Sequence, residues 1–203
     1  MRWLIGGTQA GDSLFFHYSG HGSQVIDTSG DEEDGLDETI CPVDFKNSGQ
    51  ITDDEIRQIL VLGLPYGVHL TSLMDCCHSG TGMDLPFMFT ASSQSSYSTC
   101  PMKTNFNKRH SNYNSTIEQS MGDVVLFSGC RDDQTSADTT IGLISGGAMT
   151  NAFISSLKQN RNPSYIQLLY SMRSNLTTGP HTYTQIPQLS SEKPMDMNQL
   201  FVL

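Results

Sequence analysis

Residues 12–23 read DSLFFHYSGHGS. The apolar and aromatic run Ser13–Tyr18 has the composition of a buried strand. It stops at a turn in which His21 stands between Gly20 and Gly22. A second run, VHLTSLM at 68–74, has the same character and stops just as abruptly, at Asp75, Cys76 and Cys77. A third, VVLFS, occupies 124–128. Between and after these strands lie helical patterns. Thr52–Leu62 opens with Thr52 and Glu55 as a capping box, with Asp53 and Asp54 suited to the positive end of the helix dipole. Gly63 and Pro65 end it. Ala148–Lys158 turns Ala152, Phe153 and Leu157 to one face, and Ser164–Leu176 follows Pro163 with Ser164 and Gln167 as a second capping box. Alternation of strands and helices predicts an α/β layer fold with a mainly parallel central sheet flanked by helices. In such sheets, sites form beyond the carboxyl ends of strands. If the first two strands are neighbours, His21 and Cys77 meet there.

The 203 residues predict a single domain in three parts: 1–89, a linker over 90–120 rich in serine, threonine and asparagine, and 121–203. Residues 27–38 hold seven acids and no base, and read as an exposed loop. The tail from Thr184 reads as short extended pieces broken by Pro187 and Pro194. The net charge of −10 argues against nucleic acid and weakly favours cationic substrates. No apolar run is long enough for a membrane span, and no signal-peptide pattern opens the chain. Five cysteines without a CxxC pair suit free thiols in a reducing, cytoplasmic setting, with the nucleus as a further location. The sequons at Asn114 and Asn175 are then chance matches.

A thiol becomes a good nucleophile once deprotonated, and a neighbouring imidazole can take its proton and later return it to a leaving amine. Cys77 and His21 suit these roles. The backbone amides of Gly22 and Cys77 suit an oxyanion hole. Alone, a strand-end cysteine or a single histidine is more often structural. Their paired placement at two strand termini, each beside a glycine-containing turn, favours chemistry.

HYSGHG at 17–22 and DCCHSG at 75–80 resemble the histidine and cysteine segments of type I metacaspases, caspase-like cysteine peptidases of clan CD. SGDEEDGLDETICPVDF (29–45), ITDDEI (51–56), MDLPF (83–87), SGCRDDQTSAD (128–138), GAMTNAFI (147–154) and YTQIPQLSS (183–191) extend the resemblance over nearly all the chain outside the linker. It implies a caspase–haemoglobinase fold, with a large-subunit-like part followed by a small-subunit-like part. It also implies His21 as general base, Cys77 as nucleophile with Cys76 facing away, and His78 as a loop-orienting residue. Ser19 and Asp75 match residues of a pocket selecting arginine or lysine before the scissile bond; on residue type alone, a turn residue bonding the backbone after the strand is the lesser reading of Asp75. Asp37, Asp53, Asp54 and Asp84 match a calcium site, although Asp53 and Asp54 already make sense as helix-start charges. No organic cofactor is implied. Partners are protein or peptide substrates, and the expected state is a monomer. Basic residues of an exposed linker, Lys103, Lys108 and Arg109, are the expected self-cleavage sites.

The family pattern places another strand and helix, with a further pocket acid, ahead of the histidine strand. Only residues 1–12 precede it here. That predicts a sheet lacking a strand from its middle, and it sustains a second reading, a truncated or inactive scaffold that binds partners without catalysis. A metal hydrolase built on His17, His21 and the acids is a third, set aside because His17 lies within the strand and the helical zinc-peptidase motif is absent.

Overall fold

A computed structural model describes residues 1–30, 32, 34–77, 79–90, the backbone of 103–104, 120–129, 147–178, 183 and 185–203. A short helix α1 (Arg2–Ile5) precedes β1 (Ser13–Ser19). Then come β2 (Gly22–Ile26), β3 (Leu36–Ile40), α2 (Phe45–Ser48), β4 (Ile51–Thr52), α3 (Asp53–Ile56) and β5 (His69–Asp75). The chain continues through β6 (Phe87–Thr90), β7 (Lys103–Thr104), β8 (Asp123–Ser128), α4 (Ala148–Gln159), α5 (Tyr165–Thr178) and β9 (Gln188–Ser191). Among the described residues, no helix is long and apolar enough to cross a membrane.

The main sheet has the order β1-β5-β8-β9-β6-β7. β1, β5 and β8 pair in parallel, while β9 runs antiparallel to both β8 and β6. This is the expected α/β architecture. β1 is an edge strand, paired on one side with β5. The described residues therefore show no gap in the middle of the sheet, and the expected missing strand has no place there. A further strand would join at an edge of the sheet, β1 or β7.

Alternation along the central strands sorts the core into two layers. On β8, Val125 and Phe127 join Leu73 of β5 against Phe153 of α4 and Tyr165, Leu168 and Met172 of α5. Val124 and Leu126 join Leu70 and Met74 on the other face, against Ile56, Leu60 and Leu64. Each such buried side chain contributes about 1.5–3 kcal/mol.

Local chemistry sets the helix starts. At α3 both halves of the capping box form: Glu55 N donates to Thr52 Oγ1 at 3.2 Å, and Thr52 N to Glu55 Oε2 at 3.4 Å. The helix continues with a wider π-type turn over Arg57–Val61. At α5 the Ser164–Gln167 pair makes the same reciprocal bonds, at 2.9 and 3.3 Å.

Two expectations change, and the extended pieces expected in the tail gain a place in the sheet. The acidic stretch 27–38 is not all exposed loop: Leu36–Ile40 is β3, paired antiparallel with β2, and it buries Asp37 and Glu38. The tail contributes a fully buried central strand, β9. Inside the expected linker, β7 pairs with β6.

Candidate active site

β1 and β5 run in register, with Ser19 opposite Asp75. Both strands therefore end at one level. His21 and Cys77 each follow two residues beyond that last pair. The turns touch through Gly22: a Cβ there would stand 2.0 Å from the Cys77 carbonyl oxygen and 3.3 Å from its nitrogen. Only glycine lets the two backbones approach so closely. His21 is exposed and Cys77 is half-buried with a free thiol, whereas Cys76 is 8 % exposed and packs in the core with Met74 and Ile40.

The ladder between β2 and β3 sets the direction of the Gly22 amide. Cys41 N donates to His21 O at 3.0 Å, and the next pair along is Gly22 with Ile40. Bonded and non-bonded pairs alternate in an antiparallel ladder. By that alternation the Gly22 N–H points away from β3.

Asp75 is 1 % exposed. Helix α4 starts at Gly147, which has no side chain to cap it. The cap comes from β5 instead: Asp75 Oδ2 accepts from Thr150 N and from Thr150 Oγ1, each at 2.8 Å. His17 Nε2 lies 3.1 Å from the same Thr150 hydroxyl. Burial pushes the Asp75 pKa up, while the Thr150 bonds pull against it. Asp75 Oδ1 is buried and makes no hydrogen bond among the described residues. Ser19, its register partner, is exposed. Sequence reasoning assigned Asp75 a pocket or turn role and missed the helix cap, because the bond spans 75 residues. The unoccupied Ncap position at Gly147 was the one available signal.

The acids form a separate corner. Glu32, Asp53 and Asp84 bring carboxylate oxygens within 4.8 Å of one another. Asp53 and Asp84 belong to the expected ion set. Glu32 does not: it arrives because Asp27 folds the loop, its carboxylate accepting from Ser29 N, Gly30 N and Glu32 N at 2.7, 2.8 and 3.1 Å. Those bonds hold the Asp27 pKa down to about 2. Asp37 lies buried on β3 and Asp54 half-buried on α3, outside this trio. Asp84 takes a left-handed backbone (φ 54°), which aspartate tolerates, and Arg57 Nη1 donates to its carbonyl at 2.8 Å. Arg57 also pairs with buried Glu192 at 3.1 Å. These three carboxylates, two of them buried, could supply part of the oxygen shell that calcium takes. His78, Lys108 and Arg109 lie outside the described residues, while Lys103 sits in β7.

A family model described as "Metacaspase, peptidase C14 domain" matches residues 1–86. The chain is 45 % identical to Metacaspase-1B of Neurospora crassa, over 100 % of this chain and 54 % of that protein. It is 44 % identical to Metacaspase-1 of Botryotinia fuckeliana, over 100 % of this chain and 55 % of that one. It thus spans about half the length of the curated relatives it matches. Among solved structures, protein GSU0716 from Geobacter sulfurreducens is 25 % identical with a TM-score of 0.59, covering 95 % of this chain and 70 % of its own.

Proposed function

Because this chain belongs to the metacaspase family of C14 peptidases, with a caspase–haemoglobinase fold, we propose that it is a cysteine endopeptidase working through Cys77 and His21 on arginine or lysine substrates. The observation that carries this reading is the contact of the His21–Gly22 turn with the Cys77 backbone at the aligned ends of β1 and β5.

His21 takes the Cys77 proton, and the thiolate sulfur bonds to the scissile carbonyl carbon. The carbonyl π pair moves onto oxygen, where the Gly22 and Cys77 amides stabilise it. As the tetrahedral species collapses, the C–N bond breaks and His21 returns the proton to the leaving amine. Water, deprotonated by His21, then cleaves the thioester to a carboxylic acid and the free thiol. Thr150 occupies Asp75 Oδ2, which leaves Oδ1 to pair with a substrate guanidinium or ammonium.

Glu32, Asp53 and Asp84, with Asp37 and Asp54 nearby in sequence, would hold calcium. The bound ion would neutralise this carboxylate cluster and tie the acidic loop to α3 and the segment before β6, favouring a competent site. Self-processing at Lys103, Lys108 or Arg109 belongs to the same reading; of the three, Lys103 lies in β7.

The test is labelling with an arginine-bearing electrophile, with and without calcium, followed by mass spectrometry. Calcium-promoted modification at Cys77 is expected. Modification at Cys76 or Cys41, or none under either condition, would overturn the reading.

A further inference from the structure

The turn carrying His21 is held from behind as well as in front. Tyr18, half-buried at the end of β1, folds its ring under the turn. A Cβ on Gly20 would lie 2.7 Å from the Tyr18 hydroxyl and 2.9 Å from Cζ, so the turn rests directly on the phenol. The hydroxyl sits 2.8 Å from the His21 carbonyl oxygen and 3.0 Å from that of Cys41, and it accepts from the Cys41 N–H at 3.1 Å. The same N–H reaches the His21 oxygen at 3.0 Å. One phenol hydrogen serves the two carbonyls in turn while its lone pairs receive the amide. A single side chain therefore joins the His21 backbone to the end of β3. On the opposite side, Gly22 abuts Cys77.

We propose that Tyr18 is a positioning residue for the peptidase reaction, its hydroxyl fixing the His21 backbone so that the imidazole is presented to Cys77. This rests on the reading of His21 as base and Cys77 as nucleophile. Proton transfer needs heavy atoms at hydrogen-bond distance, and a displacement of about 1 Å can cost on the order of a hundredfold in rate. The imidazole is exposed, and among the described residues no hydrogen bond holds its ring. A brace on the adjacent carbonyl restricts that backbone where it matters. Burial raises the phenol pKa above its ordinary value of 10.0, so the hydroxyl remains a donor at any pH where a thiol–imidazole pair works.

The test compares Tyr18→Phe, a p-aminophenylalanine at position 18, and His21→Ala in the full chain. Three quantities are measured: kcat and KM on an arginine peptide, the rate of iodoacetamide alkylation at Cys77, and thermal unfolding. Tyr18→Phe should lower kcat about tenfold or more, leave KM within about twofold, and slow alkylation in parallel. The amine keeps a donor at the same place and should recover most of kcat. A merely structural tyrosine would lower the melting temperature without this split. If Tyr18→Phe keeps its kcat while His21→Ala is dead, the role of Tyr18 is overturned and the dyad stands. An active His21→Ala overturns the dyad and the proposal with it. A folded amine variant as slow as Tyr18→Phe shows that ring packing, not the hydrogen bond, matters, and overturns the proposal. Should Tyr18→Phe lose its cooperative melt, the amine variant decides alone.

Discussion

The ledge at the ends of β1 and β5 and the acid corner of Glu32, Asp53 and Asp84 are both assembled from distant segments, by different means. The ledge follows from register. Once Ser19 faces Asp75, two short turns of fixed length deliver His21 and Cys77, and a glycine contact locks them. The corner has no shared ladder. One acid comes from a hairpin loop folded by Asp27, one from the first turn of α3, and one from a left-handed position before β6. Register is held by seven successive pairs of β1 and β5 and tolerates single side-chain changes. A meeting of loops depends on each side chain that bends them. The ledge should therefore fail only when its own atoms are touched, and the corner should weaken by degrees.

The sharpest break falls on the ledge. Cys77→Ala should lower peptide hydrolysis by about a thousandfold or more, with His21→Ala equally damaging and the pair no worse than either. Cys76→Ala should leave most of the activity, since that thiol lies in the core. Steady-state kinetics beside thermal melts checks this, and equal loss in both folded cysteine variants would dissolve the ledge as described.

The corner should respond more gently. Asp53→Asn together with Asp84→Asn should erase the calcium response, whereas Glu32→Gln should raise half-saturating calcium on the order of tenfold without changing the saturated rate. Calcium titration of hydrolysis reads both. An unmoved midpoint in Glu32→Gln would take that acid out of the ion's reach.

The smallest effect concerns Asp75, which links the ledge to α4. Its pKa is raised above 3.8 by burial, so the folded chain keeps a proton that the unfolded chain has already released. Its contribution to stability is therefore greatest below 3.8 and declines as pH climbs towards the raised folded value. Asp75→Asn has no such proton. Its melting temperature relative to the parent should rise by a few degrees between about pH 4 and about pH 7. A difference that stays flat with pH would mean that Asp75 is stably ionised against its Thr150 cap.

The same contrast explains what could be read from the sequence. β1, β5 and β8 announce themselves as apolar runs with sharp ends, and both capping boxes place a helix start by local hydrogen bonding alone. His21 and Cys77 follow from those strand ends. β3 hides because its buried positions include Asp37 and Glu38, whose charges suggest solvent. Glu38 is satisfied by Gln24 and Thr81, and Thr81 lies far along the chain. β9 hides for a similar reason: Gln188, Ser190 and Ser191 are polar yet 2 % exposed, in a strand enclosed on both sides by sheet neighbours. Glu32 could not be told from Asp31 or Asp34 without the turn that Asp27 makes. Polar groups enter a core when distant partners receive them, and a linear pattern does not record those partners.

The order of the main sheet has one more consequence. The strands before residue 105 supply β1, β5, β6 and β7, and those after 120 supply β8 and β9, seated between β5 and β6. The later piece is gripped on both sides by the earlier one, and α4 is moored to β5 through Asp75. A nick at Lys108 or Arg109 would then not divide the molecule. It would convert one chain into an interlocked pair, migrating as two bands after denaturation and as a single particle under native sizing. Two separately expressed pieces should, by the same interleaving, find one another and rebuild the sheet.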